Sequence, residues 1–190
     1  MKKLNPKEIL KPIVVLLVIC VAVTAVLAAV NGVTAEPIAK LAEEQAAETR
    51  SVVLPSAEEY QKLELDNEDI FECYEGLKNG EVVGYTFTSS ASGYGGTIEV
   101  MTGIDCTTGE ISGVSILSQD ETPGLGANAT KSEFTDQYKQ KAQELEVIKN
   151  AEPADGEIQA ITGSTITSQA VTDAVNKAVA AYEKIDKEGE

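Results

Sequence analysis

The spacing of apolar positions changes along the chain, and each change predicts a different element. Ile13 to Val30 is a predominantly apolar run of 18 residues without a charge. As a helix it spans about 27 Å, close to the roughly 30 Å of a bilayer's hydrocarbon layer. Glu36 to Arg50 is rich in Ala, Glu and Leu, with Ile38, Leu41, Ala42 and Gln45 setting a modest helical stripe. Val52-Val53-Leu54-Pro55 ends that helix, because proline restrains the residue before it and cannot continue the pattern. Ser56-Ala57-Glu58-Glu59 then reads as a new helix start, with Ser56 as the cap and Glu59 three residues on.

From Ile70 the pattern alternates. Ile70 to Leu77 and Glu81 to Ser89 flank Lys78-Asn79-Gly80, a hairpin signal. Thr97 to Asp105 and Glu110 to Leu117 flank Cys106-Thr107-Thr108-Gly109, a second one, with a phase slip that points to a bulge at Gly113. Lys131 to Val147 reads as helical, with Phe134, Tyr138 and Leu145 buried. Asp155-Gly156 turns into a short strand, Glu157 to Ile161. Near Thr167 a terminal helix begins, whose Ala170, Val171, Ala174, Val175, Ala178, Val179, Tyr182 and Ile185 repeat on one face; Lys184 to Glu190 is a charged tail. The order predicts an α+β domain with a mainly antiparallel sheet and flanking helices. The expected divisions are a basic tail over 1–12, a transmembrane helix over 13–30, a helical stalk or linker over 31–55 and one domain over 56–190.

Charge orients the anchor. Lys2, Lys3, Lys7 and Lys11 precede the apolar run, while Glu36, Glu43 and Glu44 follow it. The positive-inside rule keeps the basic end in the cytoplasm and sends the domain across the membrane. A cleaved signal peptide is the competing reading, with Val33-Thr34-Ala35 as the small-residue site. Its apolar region is usually about 7–15 residues, so the longer run here favours a retained anchor. The formal net charge of −16 disfavours nucleic acid and anionic lipid as partners.

With no histidine in the chain and no CxxC motif, histidine-ligated haem, typical zinc catalysis, His-dependent triads and iron–sulfur clusters have no foothold, and no metal or catalytic residues are assigned. Any redox role requires an organic cofactor. Cys73 and Cys106 leave two states open, one disulfide or two buried thiols.

Candidate chemistry concentrates at Ala160-Ile161-Thr162-Gly163-Ser164-Thr165-Ile166-Thr167-Ser168, which sets hydroxyls and one glycine before the terminal helix. A helix N-terminus carries unpaired N–H groups and partial positive charge, so the segment suits a phosphate; a hydroxyl-rich cap without a ligand is the simpler reading of these residues alone. Two glycine-rich loops accompany it, Ser92-Gly93-Tyr94-Gly95-Gly96-Thr97-Ile98 and Gln119-Asp120-Glu121-Thr122-Pro123-Gly124-Leu125-Gly126. In the second, Pro123 and Gly124 fit the central positions of a type II turn.

In this order the three segments resemble the FMN-binding domain found in the G subunit of the Rnf electron-transport complex, a family related to the C subunit of the sodium-translocating NADH:quinone oxidoreductase. The resemblance implies FMN joined through its phosphate to Thr165, the threonine that ends the motif, with Thr162 and Thr167 as fallback positions. It also implies that Gly163, Ser164 and Thr167 hold the phosphate end, and that Tyr94, Gly95, Glu121, Thr122, Gly124 and Leu125 neighbour the ring or ribityl chain. For Tyr94 a hairpin-edge position without a ligand is the competing reading. Departures from the family pattern are Ser164 for a frequent alanine, Gln159 for a frequent aspartate and Gln119 for a frequent histidine.

The implied function is electron transfer within a membrane-bound, ion-translocating ferredoxin:NAD oxidoreductase, without an independent catalytic site. The implied partners are the other membrane and peripheral subunits, and a flavin transferase during maturation. The implied location is the plasma membrane, single-pass, with the FMN domain on the extracytoplasmic side. The quinone-linked C subunit, a flavin-free anchored scaffold and a stand-alone flavoprotein reductase are the alternatives.

Overall fold

A computed structural model describes residues 6–149 and 151–189, with side chains from residue 10 to 187 apart from Asn150. Most of the basic tail, including Lys2, Lys3 and Lys7, lies outside these described side chains. The chain divides into two compact units, residues 1–45 and 46–190.

The first unit consists of helix α1, Pro6–Val53, whose final turns belong to the second unit. The apolar run and the Ala/Glu/Leu segment lie on this one helix. Pro37 lies inside it. Its most apolar 18-residue window has a mean hydropathy of 3.3, so by length and composition α1 can cross a membrane.

The second unit is built on a five-stranded antiparallel meander. Its strands are β1 (Glu59–Leu63), β2 (Ile70–Lys78), β3 (Glu81–Ser92), β4 (Thr97–Asp105) and β5 (Ile111–Ser118), in sheet order 1-2-3-4-5. Asn79 and Gly80 have φ of 54° and 82°, the two left-handed positions of a type I′ turn, and Lys78 pairs with Glu81 across it. The anticipated slip in β5 is real: Gly103 pairs with Gly113 and Ile104 with Ile111, leaving Ser112 as the extra residue beside Gly113. After β5 come a 3-10 turn (Gly126–Thr130), the short helix α2 (Ser132–Thr135) and a second 3-10 turn (Asp136–Tyr138). Strands β6 (Glu146–Ile148) and β7 (Glu157–Gln159) pair in parallel, and α3 (Thr165–Gly189) closes the unit. The domain is α+β, as expected.

Two expected helices are absent. At Ser56 no helix starts: Glu58 N–H donates to Leu77 O at 2.8 Å, and the chain enters β1 along the open edge of β2. Lys131 to Val147 coils for only the short α2 and the turn after it. Beyond them, tertiary partners take the backbone groups that a helix would have paired internally. Gln140 N–H donates to Ile111 O, Ile111 N–H to Lys141 O, and the Asn176 amide bonds both N–H and O of Leu145 at 2.9 Å. The apolar assignments within the segment survive, because Phe134, Tyr138 and Leu145 are all buried.

Each face of the sheet has a helical cover. On one face α3 lays Ala170, Val171, Ala174, Val175, Ala178 and Val179 against Phe87, Ile98, Val100 and Ile104, and the Ser89 hydroxyl donates to Ala174 O at 2.7 Å. The opposite face receives the end of α1. Along β3, Gly84 and Thr86 alternate with Phe87 and Ser89, so they point away from α3. Leu54 fits over Gly84 and Gly76, and Val53 over Gly103 and Gly113. Arg50 is buried there, 3.7 Å above the Tyr74 ring, with Glu72 at 3.8 Å. The Tyr60 hydroxyl lies 2.9 Å from Leu54 O and 3.1 Å from Arg50 O.

Cys73 and Cys106 are free thiols. They lie on β2 and at the end of β4 with β3 between, so two strand spacings of about 4.8 Å exceed the roughly 7 Å Cα limit for a disulfide. Burial pushes the Cys73 thiol up to about 12 and the Cys106 thiol up to about 11, which keeps both protonated at neutral pH.

Candidate functional site

Three loops meet at one end of the sheet around a cavity of about 490 Å³, within the size range of small-molecule and cofactor sites. Tyr94 comes from the β3–β4 loop. Glu121, Thr122, Leu125 and Gly126 come from the loop after β5. Gly163, Ser164, Thr165, Ile166 and Thr167 come from the turn into α3. The three sequence segments thus converge, and most of the anticipated residues line one space.

The turn into α3 is shaped by its own hydroxyls. Gly163 has φ 79°, and Ser164 N–H donates to Ile161 O at 2.9 Å. The fully buried Ser168 hydroxyl accepts from Ile161 N–H and donates to Ser164 O, both at 3.0 Å. Thr172 donates to Ser168 O at 3.0 Å, and its hydroxyl lies 2.8 Å from the buried Tyr138 hydroxyl. This ladder presents the first turn of α3, whose N–H groups have no intrahelical acceptor, at the cavity wall. The Ser164 hydroxyl is buried and has no hydrogen-bond partner, so it is a spare donor there.

The remaining walls are apolar and open. Tyr94 is 74% exposed, Ile166 55% and Leu125 46%, so large apolar side chains face the space without partners of their own. The loop carrying Leu125 turns as Pro-Gly chemistry dictates: Gly124 has φ 79°, and Leu125 N–H donates to Thr122 O at 3.1 Å. An anion-compatible helix start, one unsatisfied hydroxyl and apolar walls fit a flat ring with a phosphate tail.

Three anticipated residues stand outside the wall. Thr162 is exposed, Gly124 serves the turn, and Gly95 donates its N–H to the Glu121 carboxylate. Thr167 reaches the cavity, but its hydroxyl is buried and donates to Glu121. Sequence reasoning missed Gly126 and Ile166 as wall residues, and Ser168 as the organiser of the turn. An exposed isoleucine inside a hydroxyl run was the available signal for Ile166.

Glu121 is buried. Burial pushes its carboxyl up, but the Thr167 hydroxyl and the N–H groups of Gly95 and Tyr94 outweigh it and hold it below the ordinary carboxylate range. A lowered folded-state pKa stabilises the fold above the unfolded value. That stability disappears as pH falls through the unfolded and then the folded value. Melting temperatures of the detergent-solubilised chain between pH 7 and pH 3 should therefore fall more steeply for the native protein than for Glu121→Gln, the curves converging at the acid end. Parallel curves would show that the carboxylate adds no pH-dependent stability.

The sequence pattern of the FMN-binding domain family matches residues 93–180, which contain all three loops. The chain is 38% identical to the G subunit of the Na⁺-translocating ferredoxin:NAD⁺ oxidoreductase complex of Acetobacterium woodii, over 95% of each chain. It is 34% identical to the G subunit of the ion-translocating oxidoreductase complex of Methanosarcina acetivorans, over 92% of this chain and 95% of that one. Among solved structures, the C subunit of the Na⁺-translocating NADH-quinone reductase of Parabacteroides distasonis shares the fold, with a TM-score of 0.50 at 24% identity over 60% of this chain and 61% of that one. The fold and site define an FMN-binding domain joined to an apolar helix. The chain belongs to the G-subunit family of Rnf-type ion-translocating oxidoreductase complexes.

Proposed function

We propose that this chain is the FMN-carrying electron-transfer subunit of an Rnf-type ion-translocating ferredoxin:NAD oxidoreductase, with the flavin esterified through its phosphate to Thr165 Oγ1. The relatives' names supply the complex. The observation that carries the site is the position of Thr165, half-buried on the cavity wall in the first turn of α3, between the spare Ser164 donor and the apolar Ile166. FMN, when bound, supplies one-electron and two-electron redox chemistry.

The chain's own residues bind and orient. The N–H groups of the first α3 turn and the Ser164 hydroxyl would hold the phosphate, and Gly163 keeps that approach free of a side chain. Tyr94, Leu125 and Ile166 would offer the ring apolar surface and shield it from water. A covalent bond keeps the cofactor on a domain where free FMN is scarce, since reversible binding would lose it by mass action. The basic flank of the apolar helix, Lys11 included, supports an N-terminus in the cytoplasm and a flavin on the opposite side. The other subunits of the complex are the electron partners, and a flavin transferase supplies the cofactor during maturation. The reading as a quinone-linked C subunit rests on a solved relative whose 24% identity supports the fold alone.

Intact mass of the full chain, co-produced with a competent flavin transferase and extracted from membranes, tests this. The expected gain is one FMN less one water. An unmodified mass under those conditions would favour a flavin-free scaffold.

A further inference from the structure

One side chain ties the three cavity loops together. Glu121 is 6% exposed, and both its oxygens are engaged inside the protein. Oε1 accepts from the N–H groups of Tyr94 at 2.8 Å and Gly95 at 2.9 Å, while Oε2 accepts from the Thr167 hydroxyl at 2.7 Å. The carboxylate therefore joins its own loop to the loop carrying Tyr94 and to the turn of α3 carrying Thr165. Among the described residues no lysine or arginine pairs with it, so its charge is met by neutral donors alone.

The surrounding glycines are fitted to this side chain. A Cβ on Gly93 would collide with Glu121 Oε1 and come within 2.7 Å of Ile98 Cδ1. On Gly126 a Cβ would collide with Oε2 and come within 2.6 Å of Thr167 Oγ1, and on Gly95 it would strike Asp120 O. At 93 and 126 the missing side chains make room for a carboxylate.

We propose that Glu121 is the positioning residue of the flavin site, holding the three walls together and fixing a negative charge in the wall of the flavin cavity that opposes reduction of the ring. The second role rests on the cavity being the flavin site; the first does not. Three donors on two oxygens retain the ionised form despite burial. A fixed charge at a protein surface acts on a neighbour more strongly than it would in bulk water, so adding negative charge to a ring in the cavity becomes less favourable and the midpoint potential falls.

Geometry and charge separate in two variants. Glu121→Gln removes the charge and weakens all three contacts, because a neutral amide oxygen replaces the carboxylate and the amide NH2 cannot accept from the Thr167 hydroxyl. Thr167→Val removes one contact and keeps the charge. Hydrogen exchange of the detergent-solubilised full chain, produced without the transferase, reads the clamp. Glu121→Gln should speed exchange of segments 93–97 and 165–169 by roughly tenfold or more, as expected for losing a charge-assisted bond. Thr167→Val should loosen 165–169 and leave 93–97 as it was.

Spectroelectrochemistry of the flavin-loaded chain reads the charge. Glu121→Gln should raise the midpoint potential, and Thr167→Val should not. Unchanged exchange in Glu121→Gln would overturn the clamp; equal rises in both variants would assign the potential to loosened geometry and overturn the charge role. Should Glu121→Gln fail to fold, Glu121→Asp keeps the charge on a shorter reach and is expected to exchange faster without a raised potential. A native chain that takes up no flavin would overturn the site reading and the charge role together, while the exchange comparison would still decide the clamp.

Discussion

Thr165→Val should yield a chain of unmodified mass from cells in which the native chain gains FMN less water. Valine keeps the branched shape and removes only the hydroxyl. Because Thr165 is half-buried and makes no hydrogen bond that shapes the turn, the loss should leave folding intact and abolish attachment. The two nearby hydroxyls are poor substitutes for different reasons. The Thr167 hydroxyl is 2.7 Å from a Glu121 oxygen on a residue 1% exposed, so using it would strip the carboxylate of a donor. Thr162 is accessible but stands outside the cavity wall, where an ester would leave the ring unsupported. Thr165→Ser should keep the gain, and Thr162→Val should keep it fully. A gain that persists in Thr165→Val and vanishes in Thr162→Val would move the linkage and with it the proposed orientation of the ring.

The sequence was legible where local chemistry decides structure, and opaque where distant partners do. Asn79-Gly80 could only turn one way, and the period of Ala170 to Tyr182 could only be one face of a helix; both stand as read. The segment from Lys131 failed because its outcome depends on residues far away. Nothing near Leu145 says that Asn176, one helix later, will bond both of its backbone groups, or that Ile111 will take the bonds of Gln140 and Lys141. Ser56 failed similarly, since an open edge on β2 is a property of the assembled sheet.

At the site, the three motifs announced that hydroxyls and glycines matter, and all three line one cavity. Their division of labour was hidden. Glu121 read as one neighbour of the ring or ribityl chain among several, yet it is the buried node that the glycines surround. A glycine leaves the same mark on a sequence whether it makes room for a ligand or for a neighbouring side chain.

That ambiguity has its largest energetic consequence away from the cavity, at the glycines under the end of α1. Gly103→Ala should destabilise the domain by about 3 kcal/mol or more, and Gly84→Ala by a comparable amount, through steric overlap with no room to relax. A Cβ at Gly103 would collide with the Val53 carbonyl oxygen and lie 2.9 Å from Ser112 Oγ. At Gly84 it would collide with Ile104 O and lie 2.7 Å from Leu54 Cδ1. The obstacles include backbone, which rotamer changes cannot move. Relief at Gly103 would require lifting Val53 from the sheet, which breaks the 2.5 Å bond from the Ser112 hydroxyl to Val53 O and uncovers two residues that are now at most 1% exposed.

For a domain of this size the loss should lower the melting temperature of the solubilised chain by roughly 10 °C. Gly32→Ala, a helix position with nothing within 4 Å of the added carbon, should leave it unchanged or slightly raised. The same result would set the practical start of the folded domain. If Val53 and Leu54 are as costly to displace as their burial implies, chains cut after Pro55 should melt well below chains that begin at Ala46. Equal melting of those two would mean that the helix end merely rests on the sheet, and the large penalty at Gly103 should then be missing too.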